Sequence, residues 1–222
     1  MKFSLRLNND LPVQDYVRLA QAAEAAGFHQ LWISNDLFLR SNLPIITAAL
    51  QATSRLHVGA GILNPYTIHP AEMAMLAGTL DELSSNRFLL GVAAGAEEFL
   101  TWVGLEQDRP LTAMRETIQA VRRLLRGERA SLAGRFLHWN EQAYLRFQPP
   151  RVTPIYLGAM GPRMLQLAGE LADGALPLLF PPEHYFAVRP LLDAGVAQRA
   201  ASLPDLDVAA CIWVSLAEDR EA

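Results

Sequence analysis

The sequence predicts an α/β fold of the (β/α)8, TIM-barrel type, lacking the final βα unit in this chain. Three observations carry that prediction. Short apolar runs alternate with longer stretches of helical period, and the runs begin near residues 3, 30, 56, 87, 154, 174 and 206. Strands that are apolar throughout are buried on both faces, which requires a parallel sheet covered by helices. No glycine-rich dinucleotide fingerprint lies between Leu7 and Val13, where an open doubly wound sheet would carry one, so the barrel is the better solution. The 222 residues suit one domain, 1–222, with an irregular insertion at about 127–150.

The elements follow in order. Phe3–Leu7 reads as a strand; Val13, Tyr16, Val17, Ala20 and Ala23 then recur at helical spacing, with Gly27 at the stop. The unit repeats as strand Gln30–Ser34 with helix Pro44–Ser54, and strand Leu56–Ile62 with helix Pro70–Leu83. Strand Arg87–Ala94 follows, with a helix from about Arg109 to Arg126. Ala130–Phe147 has Gly134, several aromatics and no helical period, which marks an inserted loop with a short hairpin. Strands Pro154–Ala159 and Gly174–Phe180, each with a helix (Pro162–Ala172 and Pro182–Ala200), and strand Asp207–Leu216 complete the run. The closing AEDREA, residues 217–222, reads as the first turn of a seventh helix. The chain is therefore expected to be either a fragment or a natural product one unit short, with two sheet edges to cover.

Composition removes several classes of function. An apolar fraction of 51% against 19% charged residues excludes a disordered chain, and no apolar run reaches the roughly 18 residues of a membrane span. The net charge of −4 comes without a basic stripe, so nucleic acid is not an expected partner. Cys211 is the only cysteine, which excludes intrachain disulfides and cysteine-based metal sites and fits a reducing cytoplasm. No metal is expected, because His29, His57, His69, His138 and His184 lack ligand spacing.

In a barrel of this type function gathers at the C-terminal ends of the strands. Those ends offer Asn8 and Asn9, then Asn35 and Asp36, then Gly61, Ile62 and Asn64, then Gly95, then Gly158 to Arg163. Asn and Asp residues after strands also serve as caps and turns. The third end, GAGILNPYTIHP (59–70), is bare of side chains where it should be most crowded, and something must pass close to it. The fifth, GAMGP (158–162), joins strand to helix through Gly158, Ala159, Met160, Gly161 and Pro162. Backbone N–H groups at such a helix start can hold a phosphate, and Arg163 adds a charge there.

Gly59–Ala74, Gly91–Glu128 and Ile155–Pro177 together resemble the luciferase-like monooxygenase superfamily, most of all its coenzyme F420-dependent branch typified by methylenetetrahydromethanopterin reductase. The resemblance implies a barrel that binds F420, or alternatively FMN, in its mouth, acts on a small-molecule substrate and forms a homodimer. It implies a non-prolyl cis peptide at Gly61–Ile62 backing the ring, with Asn35, Asn64 and Gly95 around it and the cofactor phosphate at 158–163. Two positions depart from the family pattern: Leu37 stands where a His is common, and Ala96 where an acid is common. Asp36 is then the candidate catalytic acid or base. Trp102, Trp139 and Phe180 are candidate walls of the substrate pocket. The expected activity is hydride transfer between F420 and a small organic substrate; the alternatives are an FMN-dependent monooxygenase and a non-catalytic flavin- or F420-binding protein.

Overall fold

In the computed structural model, which describes residues 2–178, 181–212 and 214, the βα rhythm is realised almost unit by unit. The strands are β1 (Ser4–Leu7), β2 (Gln30–Ile33), β3 (His57–Leu63), β4 (Phe88–Val92), β5 (Leu132–Ala133), β6 (His138–Trp139), β7 (Ile155–Gly158), β8 (Gly174–Leu176) and β9 (Asp207–Val208). The helices are α1 (Val13–Ala25), α2 (Asn42–Ala52), α3 (Pro70–Ser84), α4 (Glu97–Trp102), α5 (Pro110–Leu125), α6 (Pro162–Leu171) and α7 (Tyr185–Val196). Seven strands form one parallel sheet in the order β1-β2-β3-β4-β7-β8-β9, and β5 and β6 form the antiparallel hairpin expected in the insertion. Phe180, the end of the expected seventh strand and the AEDREA stretch lie outside the described residues.

The sheet is curled. In a flat sheet the first and seventh strands would stand about 29 Å apart at the usual strand spacing. Here Lys2, just before β1, reaches Asp207 of β9 with Nζ 3.3 Å from Oδ2. Asp207 also accepts the Tyr156 hydroxyl at 2.8 Å, so one carboxylate ties the first strand to the fifth and seventh members of the sheet. Burial and Asp207 together push the Tyr156 phenol well above its usual range.

Alternation along the strands sorts side chains into two layers. Leu31, Ile33, Val58, Phe88, Leu90 and Ile155 point outward into the main core under the helices, where Tyr16, Ile45, Met73 and Ile118 meet them. Trp32, Leu89 and Tyr156 point inward and form a smaller core with Leu176, the indole and phenol rings meeting edge-on at 4.9 Å.

Carboxylates far from any strand end hold this frame. Glu24 of α1 accepts the backbone N–H groups of Ser54, Arg55 and Leu56 and so fixes the entry to β3. The Arg55 N–H leads the effects that bring its carboxyl down to about 2. Fully buried Asp81 of α3 receives Arg151 through two bonds, Thr153 and the Phe88 N–H, joining α3, β4 and the approach to β7 across the insertion. Two elements differ from the sequence reading. The helix expected from Pro44 begins at Asn42, whose N–H is taken by the Asn35 side chain at 3.3 Å, and the six-residue α4 has too few turns to show a period.

Candidate active site

The end of β3 is irregular: its register against β4 shifts between Ala60 and Leu63, and the Gly61–Ile62 peptide is cis. The glycines around it are bare for different reasons. At Gly59 the space of a side chain is filled by the Trp32 indole, so this glycine serves packing, against the expectation that it gives a ligand access. At Gly91 a Cβ would overlap the Ala60 carbonyl, which the bulge directs toward it. At Gly158 a Cβ would stand 2.9 Å from the Ala93 Cβ and 3.5 Å from the Ile62 Cγ2, so Ile62 and Gly158 face one another at the mouth. Gly61 alone among the glycines of β3 and β4 has room: a Cβ there would meet nothing nearer than 3.5 Å.

Around this open face the loops are fixed by their own backbones. Asn64 Oδ1 accepts the Tyr66 N–H at 2.9 Å and its carbonyl accepts from Thr67 and Ile68, so half of its amide is spent on a turn. Its Nδ2 lies against Gly95, whose φ of +76° and lack of Cβ let the two meet. Gln107 Nε2 donates to the carbonyls of Ala94 and Gly95 at 2.9 and 3.0 Å, fixing the loop after β4. Glu97 and Glu98, one and two residues past Ala96, form the first turn of α4.

Asp36 is held by its backbone. Asn9, fully buried, accepts the Asp36 N–H at 3.2 Å and donates to the carbonyls of Asp36 and Arg40. The Asp36 carboxylate has no hydrogen-bond or ion-pair partner among the described residues. Asn35 gives its Oδ1 to the start of α2, leaving its amide nitrogen.

The β7–α6 turn presents backbone. Gly161 caps α6 without a side-chain bond, a Cβ on it would meet nothing within 4 Å, and Pro162 occupies the first helical position. Ala159 is buried and its N–H reaches the Leu176 carbonyl at 3.4 Å, while Met160 is 58% exposed. The Arg163 side chain lines a cavity of about 170 Å³ within the helical layer, beside Arg115, Gln166 and Glu170.

Of the expected pocket walls, Trp102 stacks with Phe99 at 4.8 Å and meets exposed Phe38 at 6.3 Å beside the second and fourth strand ends. Trp139 instead packs on His69 and lines a separate cavity of about 360 Å³ between the hairpin, α3 and α5. His69 itself caps α3, Nδ1 accepting the Ala71 N–H at 3.3 Å. Sequence reading passed over Arg6 and Gln107. Arg6 was visible as a charged residue in the Ser4, Arg6, Asn8 alternation of the first strand; Gln107 acts across thirteen residues and left no local sign.

The 5,10-methylenetetrahydromethanopterin reductase of Archaeoglobus fulgidus is 34% identical over 221 residues, covering all of this chain and 66% of that protein. Its counterpart in Methanolobus tindarius is 32% identical over 99% of this chain and 67% of its own length. The solved coenzyme F420-dependent tetrahydromethanopterin reductase of Methanopyrus kandleri superposes with a TM-score of 0.84 at 28% identity, covering 93% of this chain and 64% of that one. This chain thus spans about two thirds of the length of these relatives. The luciferase-like monooxygenase family model matches residues 2–222, in keeping with the parallel half-barrel and its irregular third strand end, and the chain belongs to that family.

Proposed function

We propose that this protein is an oxidoreductase transferring a hydride between the deazaflavin coenzyme F420 and a small organic substrate. The observation that carries the reading is the part-exposed, side-chain-free backbone of Gly61 at the mouth, where even a Cβ would make only ordinary contacts, with Ile62 facing Gly158 beside it and Asn35, Asp36 and Asn64 on the loops of the adjoining strand ends. A planar ring needs a flat, side-chain-free surface with a few polar groups at its edge, and this surface has that form. The coenzyme F420-dependent tetrahydromethanopterin reductase of Methanopyrus kandleri, similar over 93% of this chain, supports the choice of cofactor. Bound there, F420 would supply or accept the hydride directly, so the protein needs no nucleophile.

The chain's own residues then bind, orient and handle protons. Gly61 and Ile62 back the ring, Gly95 and Asn64 close one edge, and the turn after Gly158 and Ala159, through Met160, Gly161 and the first turn of α6, receives the phosphate. Pro162 presets that turn, and Arg163, its side chain in the helical layer, contributes through its N–H. Asp36, with a free carboxylate, is the group left to move a proton where Leu37 and Ala96 bring none. Phe38, Phe99 and Trp102 wall the substrate side.

FMN-dependent monooxygenation is the second reading, supported by the same bare face, which bears no group selective for one ring over the other. We further infer a cytoplasmic homodimer. A single cysteine fits a reducing compartment, the exposed Met75 and Leu83 of α3 fit a self-association face, and no described helix is long and apolar enough to cross a membrane. Fluorescence titration of the purified protein with F420 and with FMN tests the function. Micromolar binding of F420 with substrate-dependent bleaching of the ring is expected. Binding of both weaker than millimolar sinks the enzyme reading, and tight binding without hydride or oxygen chemistry favours a cofactor-carrying protein.

A further inference from the structure

The inner face of the half-barrel carries a cation, Arg6, that no carboxylate among the described residues answers. Leu5 and Leu7 of β1 pack into the helix-side core, so Ser4 and Arg6 face inward, and Ser4 accordingly meets the inward-facing Gln30. Arg6 stands beside Trp32 in register, and its Nη2 donates to Ser34 Oγ at 3.0 Å. Ser34 is 1% exposed and follows directly on Ile33, which is paired with Ala60 and whose carbonyl oxygen would lie 3.7 Å from a Cβ on Gly61. The guanidinium is thus bonded to the residue that directly follows the one touching Gly61.

Arg6 is half-buried, and among the described residues it forms no ion pair, although eight others join arginines or a lysine to acids elsewhere. The acid nearest in the chain to Ser34 is Asp36, which is not within ion-pair distance of Arg6 and is itself unpaired. The fold holds the two apart, Arg6 through Ser34 and Asp36 through Asn9. A guanidinium taken partly out of water is stabilised by a negatively charged oxygen, and the described residues bring none to Arg6. Ser34 uses one of its N–H groups, and the remainder of the planar fork suits an anionic oxygen.

We propose that Arg6, braced by Ser34, is the anion-recognising residue of the mouth, pairing with a negatively charged oxygen of the ligand over Gly61. That oxygen belongs either to the electron-rich edge of the cofactor ring or to a carboxylate of the organic substrate. The proposal rests on the reading of the mouth as a cofactor site, and its test separates the two.

The experiment compares wild type, Arg6→Gln and Arg6→Lys, each first shown by circular dichroism and melting to be folded. F420 and its tail-less deazaflavin chromophore are titrated by fluorescence. Short carboxylic acids and their amides are titrated by calorimetry into the protein with and without F420. If the oxygen is on the ring, Arg6→Gln weakens the tail-less chromophore about ten- to a hundredfold and Arg6→Lys restores most of the affinity, as for a charge-assisted bond. If it is on the substrate, ring affinity is unchanged, while carboxylic acids bind wild type and Arg6→Lys but not Arg6→Gln, and the amides bind none. Should wild type bind no ring at all, the cofactor reading fails, and the carboxylate titrations on the free protein still decide the role of Arg6. Equal ring affinity in all three proteins, with no carboxylate preference lost on Arg6→Gln, overturns the proposal.

Discussion

At the scale of single residues, the same missing side chain has three meanings along β3 and β4. Gly59 is empty for Trp32, Gly91 for the Ala60 carbonyl, and Gly61 for the mouth. Alanine at residue 59 or 91 therefore overpacks and is expected to cost about 1–3 kcal/mol, lowering the melting temperature by several degrees. Alanine at residue 61 meets only ordinary contacts, so its melting temperature stays near wild type while ring affinity falls; an equal loss of stability at all three positions would contradict this division. The run GAGILN showed that the backbone is bare, but Trp32 lies 27 residues earlier, and nothing local says which glycine it covers. His57 offers a second test. Burial foremost, then His29, Arg151 and Arg87, lower its pKa below the ordinary 6.5. The unfolded chain then holds more protons than the folded one from about pH 6.5 down to the lower folded value, so stability rises with pH across that window and is lost as the pH falls through it. Melting curves taken from about pH 8 to 5 are expected to show this slope, and His57→Gln to flatten it.

At the scale of elements, helices and strands were legible because period and burial are local, whereas the bonds that set their ends are not. Asn35 starts α2, Glu24 receives the entry to β3, and Asn9 fixes the second strand's loop, each acting from another element. The hairpin in the insertion is a case in point. Its two strands are two residues each, too short to be stable alone. Glu116 of α5 supplies the missing support by accepting the N–H groups of Arg135, Phe136 and Leu137. Desolvation opposes the charge, but these three donors outweigh it and hold the carboxyl below its usual range. Glu116→Ala is expected to speed hydrogen exchange at residues 132–139 by tenfold or more, about 1.5 kcal/mol, while exchange in β2 and β3 is unchanged. Uniform acceleration across the sheet would show instead that the hairpin is part of the global unit.

For the whole molecule, the order of the parallel strands followed from the repeat, since consecutive βα units lie side by side. The barrel-type curl was expected as well, but the contacts that hold it were not legible, because they join pairs such as Lys2 with Asp207 that are 205 residues apart. The same holds for Asp81, whose partners Arg151 and Thr153 lie beyond the insertion. Asp81→Asn leaves Arg151 without its counter-charge and is expected to destabilise the chain by about 3 kcal/mol in urea unfolding. A smaller loss would mean that the insertion is anchored elsewhere. The site, too, was partly legible: the mouth and its glycines could be read from strand ends, but Arg6 belongs to an interior face that exists only once the sheet has curved.

The burial of Trp32 has an optical consequence. Its indole is 4% exposed, rests on Gly59 and has its Cβ beneath the open face of Gly61, whereas Trp102 is 56% exposed. A chromophore absorbing in the near ultraviolet or violet, laid on that face, would sit within a few ångströms of a shielded donor. The protein thus carries an intrinsic antenna, and loss of the blue-shifted part of its emission on adding a ring compound would report occupancy without any label.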